Sequence, residues 1–574
     1  MVVMYIETVK NRNSPPCILL RESYREDGRV KKRTVANLTN WPKEVVSQLR
    51  VAMSNKACAD FDIIRSLPHG HVAAVLRCMK NLKISGVLGG RPCREKDLAT
   101  ALIAQRILSP GSKLATARLL GTESAASSLG EELGLAEVSE TELYAAMDWL
   151  LERQDAIEAK LAKRHLGNGA PVLYDLTSVY MEGTKCPLSA YGYSRDGKKG
   201  KLQIEFGLLC DEDGRPVAVR VFEGNVADPT TVAERIRTLK DKFGLSRVVV
   251  VGDRGMLTSA RIREDLSPED GIDWISALTT DGIRKLQSEE LIQPELFDQQ
   301  NLAEVNSPSF PDERLIVCRN PHLAARRANK REELLAATEV ELAKVKAATQ
   351  RDKRALKGID KIAMRAGRAL DRFKMRKHFK IEVTETDFHY ERRVENIAEE
   401  AALDGIYVVR SSLKKDDAGA DELVGLYKSL SRVERAFRSI KTVDLNVRPI
   451  FHRTADRVRA HVLLCMLAYY VEWQLKETLA PLLFKDEHPE LAAEKRDCVA
   501  DQARRSDQAL DKIATKKTAD GHGAHSLRTL LSDLATVTRN VVQFKVKDSL
   551  PVVRFTTPTS LQAKAFELLG VRLS

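Results

Sequence analysis

No two of the nine cysteines form a CxxC pair, and an odd number cannot all pair off within one chain. A disulfide framework and a cysteine-based zinc site are therefore disfavoured, and a reducing compartment is expected. Aromatic residues supply only 5% of the sequence. The N-terminal stretch MVVMYIETVKNRNSPP lacks the apolar centre and cleavage site of a signal peptide. The longest apolar run, from Ala460 to Val471, is interrupted by His461. It is too short to cross a bilayer and reads as a buried helix, so no membrane partner is expected. Internal repeats and low-complexity tracts are absent.

What remains is a chain of 574 residues, 43% hydrophobic and 30% charged, with a net charge of +12. There is enough apolar material for real cores, which excludes a wholly disordered chain. The positive excess points to a polyanionic partner.

The segments CILLRESYR and RVKKRTVANL flank Glu26-Asp27-Gly28, a strong hairpin turn signal. This hairpin carries Arg21, Arg25, Arg29, Lys31, Lys32 and Arg33. A solvated strand face and a DNA-contacting face are both open readings of it. From about Leu49 to Leu166 the pattern is helical, with a break at Pro110-Gly111 and a capping box at Ser139 and Glu142. Helical hairpins are commoner than a DNA-binding helix-turn-helix, and both stay open here.

At Pro171 the texture changes. VLYDLTSVYMEG, KLQIEFGLLCD and PVAVRVFEGN read as strands, the last two joined through Glu212-Asp213-Gly214-Arg215. Asp228-Pro229 then opens a helix running to about Phe243. RVVVVGDRGM is a short buried strand, and after a further helix DWISALT is another, with Trp274 a core residue on it. The predicted fold class is α/β, a mixed sheet flanked by helices. Residues 282–403 interrupt this pattern. Between Arg326 and Lys377 they hold 17 basic against 7 acidic residues, most of the chain's positive excess, in a composition that favours long helices or a coiled-coil hairpin. A strand returns at DGIYVVRSS, followed by a helix over about Asp421–Lys441 and the helix AHVLLCMLAYYVEWQLKETL.

Three acids stand out. Asp175 lies inside an apolar strand and Asp253 at the end of another, where an ionised carboxylate is costly unless something pairs with it. Adjacent strands would bring both to one sheet edge, where a divalent cation is a natural partner. A helix cap or a pair with the neighbouring Arg254 would equally explain either one alone. On the 421–441 helix, Leu423, Leu426, Leu430, Val433, Phe437 and Ile440 form an apolar stripe. At 100° per residue Glu434 falls on its shoulder, with Tyr427, Arg438 and Lys441 along the same line. A plain i, i+4 Glu–Arg pair is the ordinary meaning of such a helix taken by itself.

Together, YDLTSVYMEG, VFEGNVADPTTV, VVVVGDRGM, DGIYVVRSS and YKSLSRVERAFRSIKT resemble the DDE transposases of bacterial insertion sequences. They are most similar to the "IS-four" superfamily, which carries a Tyr–Arg–Glu–Lys signature and a large insertion before its third acid. The resemblance is specific over about 171–280 and 404–476. It implies an RNase H-like core with Asp175, Asp253 and Glu434 as catalytic, metal-binding acids. It implies Tyr427 and Lys441 as DNA-binding residues. The signature's Arg position is Leu430 here, Arg432 points to the opposite side of the helix, and Arg438 is the better stand-in. The implied cofactor is Mg²⁺, with Mn²⁺ as a substitute. The implied activity is metal-dependent cleavage at the element's ends and strand transfer into target DNA. The implied partners are double-stranded DNA, as terminal inverted repeats and target, and a second copy in a synaptic homodimer. The implied location is the bacterial cytoplasm, on the nucleoid. The expected divisions are a basic hairpin (1–45), a helical region open to end binding (46–168), the core in two parts (171–281 and 404–480), the insertion (282–403) and a C-terminal region open to dimerisation (481–574). Two other classes stand as alternatives. A phosphatase-like hydrolase wants a second Asp two positions after the first, where Thr177 stands. An inactivated DNA-binding transposase relic would not need all three acids.

Overall fold

The computed structural model describes the chain except residues 1–2, 11–14, 54–60, 227–239, 241–242, 267–270, 298–300, 497, 501–503, 546–548 and 574. The strands are β1 (Val3–Val9), β2 (Cys17–Glu26), β3 (Arg29–Asn37), β4 (Phe61–Pro68), β5 (Pro171–Tyr180), β6 (Gln203–Cys210), β7 (Pro216–Glu223), β8 (Val248–Val251), β9 (Ile272–Ala277), β10 (Leu302–Val305), β11 (Arg314–Arg319), β12 (Phe379–Val383), β13 (Phe388–Arg392), β14 (Ile406–Ser411), β15 (Thr538–Phe544) and β16 (Val552–Phe555).

The basic hairpin forms as its turn dictates. Asp27 and Gly28 both take positive φ, 54° and 73°, the pairing a type I′ turn needs between twisted strands. The sequence pattern missed β1, which pairs antiparallel with β2 and makes the sheet three-stranded.

The centre of the molecule is an eight-stranded mixed sheet in the order β10-β11-β14-β9-β8-β5-β6-β7. β5–β6–β7 is an antiparallel meander, β5–β8–β9 is parallel, and β14, β11 and β10 add antiparallel to the far edge. β6, β8 and β9 are buried along their whole length, and β8 accordingly reads as a continuous apolar run. Trp274 on β9 is a core residue, as expected. The helix expected from Asp228 to Phe243 lies largely outside the described residues.

One helix, Ala455–Thr478, is enclosed almost throughout. It packs against β7 on one side and the helices Arg94–Leu108 and Glu140–Glu152 on the other, so the N-terminal helices and the sheet share one core. Among the described residues no helix is long and apolar enough to cross a membrane. Ser139 and Glu142 form the expected capping box on the Glu140–Glu152 helix.

Two expectations are corrected. The 49–166 region is not helical throughout, because Phe61–Pro68 is β4. Its partner, β15, lies at the far end of the sequence, where the pattern is weak, and together with β16 they form a three-stranded sheet. The 421–441 segment is not one continuous helix. Helix Ala420–Lys428 stops at Ser429, Leu430–Arg438 follows, and Ser439–Val443 winds as a π-turn. That wider turn rotates the residues beyond it relative to a regular helix.

Between β11 and β14 stand the helices Pro321–Thr349 and Ile359–Arg372 and the hairpin β12–β13. Leu335, Leu342, Val345, Ile362, Ala366, Leu370 and Phe388 give this unit a small core of its own. The positive stretch is thus a helical pair folded on itself, as its composition suggested.

Candidate active site

β5 and β8 run parallel with Leu173 beside Val251. Asp175 and Asp253 each lie two residues further on, so the register sets Asp175, midway along β5, beside Asp253, just past the end of β8. Leu176 N donates to Asp175 Oδ1 at 2.8 Å, and Met256 N donates to Asp253 Oδ1 at 2.7 Å. Asp253 thus caps a turn and not a helix: the next helix, Ser259–Asp265, is capped by Thr258. The pairing with Arg254 is not made: no ion pair joins them.

The Leu430–Arg438 helix packs on β5, with Phe437 edge-to-face against Phe206 of β6 at 5.4 Å. Val433, Ala436 and Phe437 are buried, which turns Glu434 outward along the same edge of the sheet. The three carboxylates feel one another. Burial, then Asp253, and to a lesser degree Glu434, push the Asp175 carboxyl up to about 7 against the pull of the Leu176 amide and Arg195. Tyr427 joins the group; burial, Asp253 and Glu434 raise its phenol while Arg254 lowers it.

None of Asp175, Asp253 and Glu434 makes an ion pair with a basic side chain among the described residues. Nor do three acidic, histidine or cysteine side chains close on one point there. Two of the acids keep one oxygen on a backbone amide and leave the other available. Three mutually repelling carboxylates without a cationic partner are a donor set that fits a hard divalent ion.

The other expected contacts separate. Arg438 is exposed and makes no ion pair among the described residues. Leu430 is half-buried. Arg432 turns away as expected, donating to the Glu212 carbonyl in the β6–β7 turn, where a Cβ on Gly214 would come within 2.8 Å of its own Cβ. Lys441 follows the π-turn inward: it is buried, and its Nζ meets Asp196 Oδ1 at 3.0 Å. As placed, it does not line up with Tyr427 and Glu434.

Residues between β5 and β6 complete the site, and the sequence reading passed over them. Arg195 donates to the Leu176 carbonyl, and its own amide donates to Ser178 Oγ at 2.9 Å. The Asp196 side chain is enclosed, accepts from Tyr180 N at 3.3 Å, and pairs with both Lys441 and Arg448. They sit in an aperiodic loop, YGYSRDGKKG, whose only local signal is a Ser-Arg-Asp-Gly turn.

The sequence matches the model of the Transposase DDE domain over residues 170–471, more than half of the chain. The chain belongs to the DDE transposase family. Residues 6–58 also match the IS1634 family transposase N-terminal domain, which makes it an insertion-sequence transposase. Among curated proteins nothing matches. One similar solved structure is the piggyBac transposase in a synaptic complex with hairpin DNA, at 9% identity and a TM-score of 0.32, covering 81% of this chain and 76% of that one. A DDE transposase acts on DNA and requires a divalent metal.

Proposed function

We propose that this transposase cleaves DNA at the ends of an insertion sequence and joins the freed 3′-hydroxyl to target DNA, with Asp175, Asp253 and Glu434 holding Mg²⁺. The observation that carries the reading is the register of β5 and β8, which sets Asp175 beside Asp253, with Glu434 near enough to raise the Asp175 carboxyl and none of the three ion-paired among the described residues. The strand order β7-β6-β5-β8-β9, an antiparallel meander with two parallel strands added beside its first, supports an RNase H-like core. The antiparallel β5–β6 pairing and Thr177 count against a phosphatase-like site.

Paired Mg²⁺ ions would activate the attacking water or hydroxyl and stabilise the leaving oxygen of the scissile phosphate. The chain's own groups do the rest. The Leu176 and Met256 amides fix the rotamers of Asp175 and Asp253. Arg195 braces β5 beside Asp175 through the Leu176 carbonyl. Tyr427 and Arg438 face the DNA backbone, one as a phenol beside the acids and the other as an exposed guanidinium. Lys441 acts as a positioning residue, tying the helix to the Asp196 loop. The Tyr, Glu and Lys positions fit the "IS-four" signature, with Leu430 in place of its Arg. The division at 171–281 and 404–480 around an insertion, an end-binding region within 46–168, and a synaptic dimer drawing on 481–574 belong to the same proposal.

The test is donor cleavage of DNA carrying the element's inverted repeats, with Mg²⁺ or Mn²⁺, comparing wild type with Asp253→Ala. Cleavage at the repeat ends by wild type alone supports the assignment. Cleavage retained in Asp253→Ala overturns it, and specific binding without cleavage by wild type points to an inactive copy.

A further inference from the structure

Away from the three carboxylates, a cavity of about 630 Å³ opens between the N-terminal helices and the stretch leading into the Ala455–Thr478 helix. Five bases line it: Arg106, Lys113, Arg448, Arg453 and Arg457, with no acid among the lining residues. Arg448 is committed to Asp196, and Arg457 to Asp148 at 2.7 Å. The rest are uncompensated. Lys113 is 4% exposed, and among the described residues its ammonium makes no hydrogen bond or ion pair. Arg106 is 7% exposed and reaches only the Leu445 carbonyl at 3.4 Å and His461 Nδ1 at 3.5 Å. One nitrogen of Arg457, Nη1, is buried without any acceptor. Arg453 stands exposed at the rim beside Phe451, itself 68% exposed.

Enclosed like charges with spare donors are unfavourable unless an anion shares the space. The strain is visible in the groups facing Lys113. Burial, with Arg106 and Arg457 nearby, pushes its ammonium down to about 7, and Cys465 pulls weakly the other way. Burial with Lys113, Arg106 and Arg457 pushes His452 down to about 3, so it stays neutral. His461 is driven the same way by burial and by Arg106, Lys113 and His452.

We propose that this cavity is a phosphate-binding site that takes a phosphate group of the DNA, held by Lys113, Arg106, Arg453 and the free nitrogen of Arg457. Guanidinium and ammonium donors around an enclosed space are the chemistry that recognises phosphate. The volume admits a phosphate with part of its nucleotide. The site is distinct from the three acids but mechanically joined to them, because Arg448 at its wall shares Asp196 with Lys441. The proposal rests on DNA being the substrate, and not on which residues bind metal.

The test uses the full chain without metal, so it is independent of cleavage. Wild type, Lys113→Met and Arg453→Ala are compared in thermal shift with inorganic phosphate at constant ionic strength. Their binding to a duplex oligonucleotide with or without a 5′-phosphate is compared alongside. Phosphate is expected to raise the wild-type Tm and both substitutions to blunt that rise. Lys113→Met is expected to weaken DNA binding about tenfold or more. Arg453 is exposed, so its substitution reports even if the buried one fails to fold. Preference of wild type for the 5′-phosphorylated duplex, lost in the variants, assigns a terminal phosphate. Equal loss on both duplexes assigns an internal phosphodiester. Variants that match wild type toward phosphate and both duplexes overturn the site, and phosphate stabilisation without any DNA binding overturns the DNA assignment.

Discussion

Asp175 is kept at a cost to the fold. Its carboxyl is held high by burial and by Asp253, a repulsion that a neutral side chain of the same shape removes. Asp175→Asn is therefore expected to lower DNA cleavage by roughly a thousandfold or more while raising Tm by about 2 °C. Calorimetry beside a cleavage assay checks both halves, and a lowered Tm with cleavage lost would make Asp175 structural. Lys113 makes the same kind of argument at a basic residue. Its folded pKa, about 7, lies below the ordinary lysine value of 10.5, so between those two the unfolded chain binds more protons. Stability gains from this group as pH rises through that window, and the whole penalty is present below about 7. Lys113→Met is expected to be more stable than wild type near neutral pH, with the difference shrinking toward about pH 10, as read from Tm against pH. Asp175, Asp253 and Glu434 were legible because strand and helix periodicity puts an acid where an apolar residue belongs or on the shoulder of a buried stripe. Arg195, Asp196 and Arg448 were not, because loop residues carry no period and their partners are far away in sequence.

At the scale of elements, the π-turn at Ser439–Val443 decides which bases reach solvent. A regular helix would have set Lys441 in line with Glu434; the wider turn carries it inward against Asp196, while Arg438, on the regular helix before the turn, stays exposed. Nothing in the residue pattern announces such a turn, since the apolar spacing up to Ile440 is still helical. The helical unit between β11 and β14 was read more completely, because one-sided charge and helix-favouring composition persist over many residues. On the Ile359–Arg372 helix, Ile362, Ala366 and Leu370 face inward while Lys361, Arg365 and Arg368 are exposed and have no ion-pair partner among the described residues. Replacing those three with Gln is expected to flatten the slope of log affinity against log salt by about 2 to 3, with little change in Tm. An unchanged slope would make this face an ordinary solvated one. The unit is also separable. Arg319 pairs with Ile406, and Asn320 N donates to the Gly405 carbonyl at 2.9 Å, so its two ends meet across one hairpin mouth. Replacing 321–404 with a two-residue Asn-Gly turn is expected to leave the eight-stranded sheet folded, as a retained cooperative thermal transition would show.

Over the whole molecule, the Ala455–Thr478 helix is the shared wall between the N-terminal helices and the sheet. It was legible as a buried helix from its long apolar run, interrupted only at His461. The pairing of β4 with β15 was not, because two short strands at opposite ends of a chain leave no local trace of each other. That pairing also sets a clock. Phe61, Ile63 and Ile64 of β4 wait for a partner that begins at Thr538. At about 5–20 residues per second the ribosome needs roughly half a minute to a minute and a half to deliver it. During that interval an apolar strand edge stands open at the front of every nascent chain, the kind of edge that recruits other strands. A message cut short before the codon for Thr538 would thus yield a protein with its three acids in place and a permanently open seam, one that the cell's quality control would clear before it met DNA.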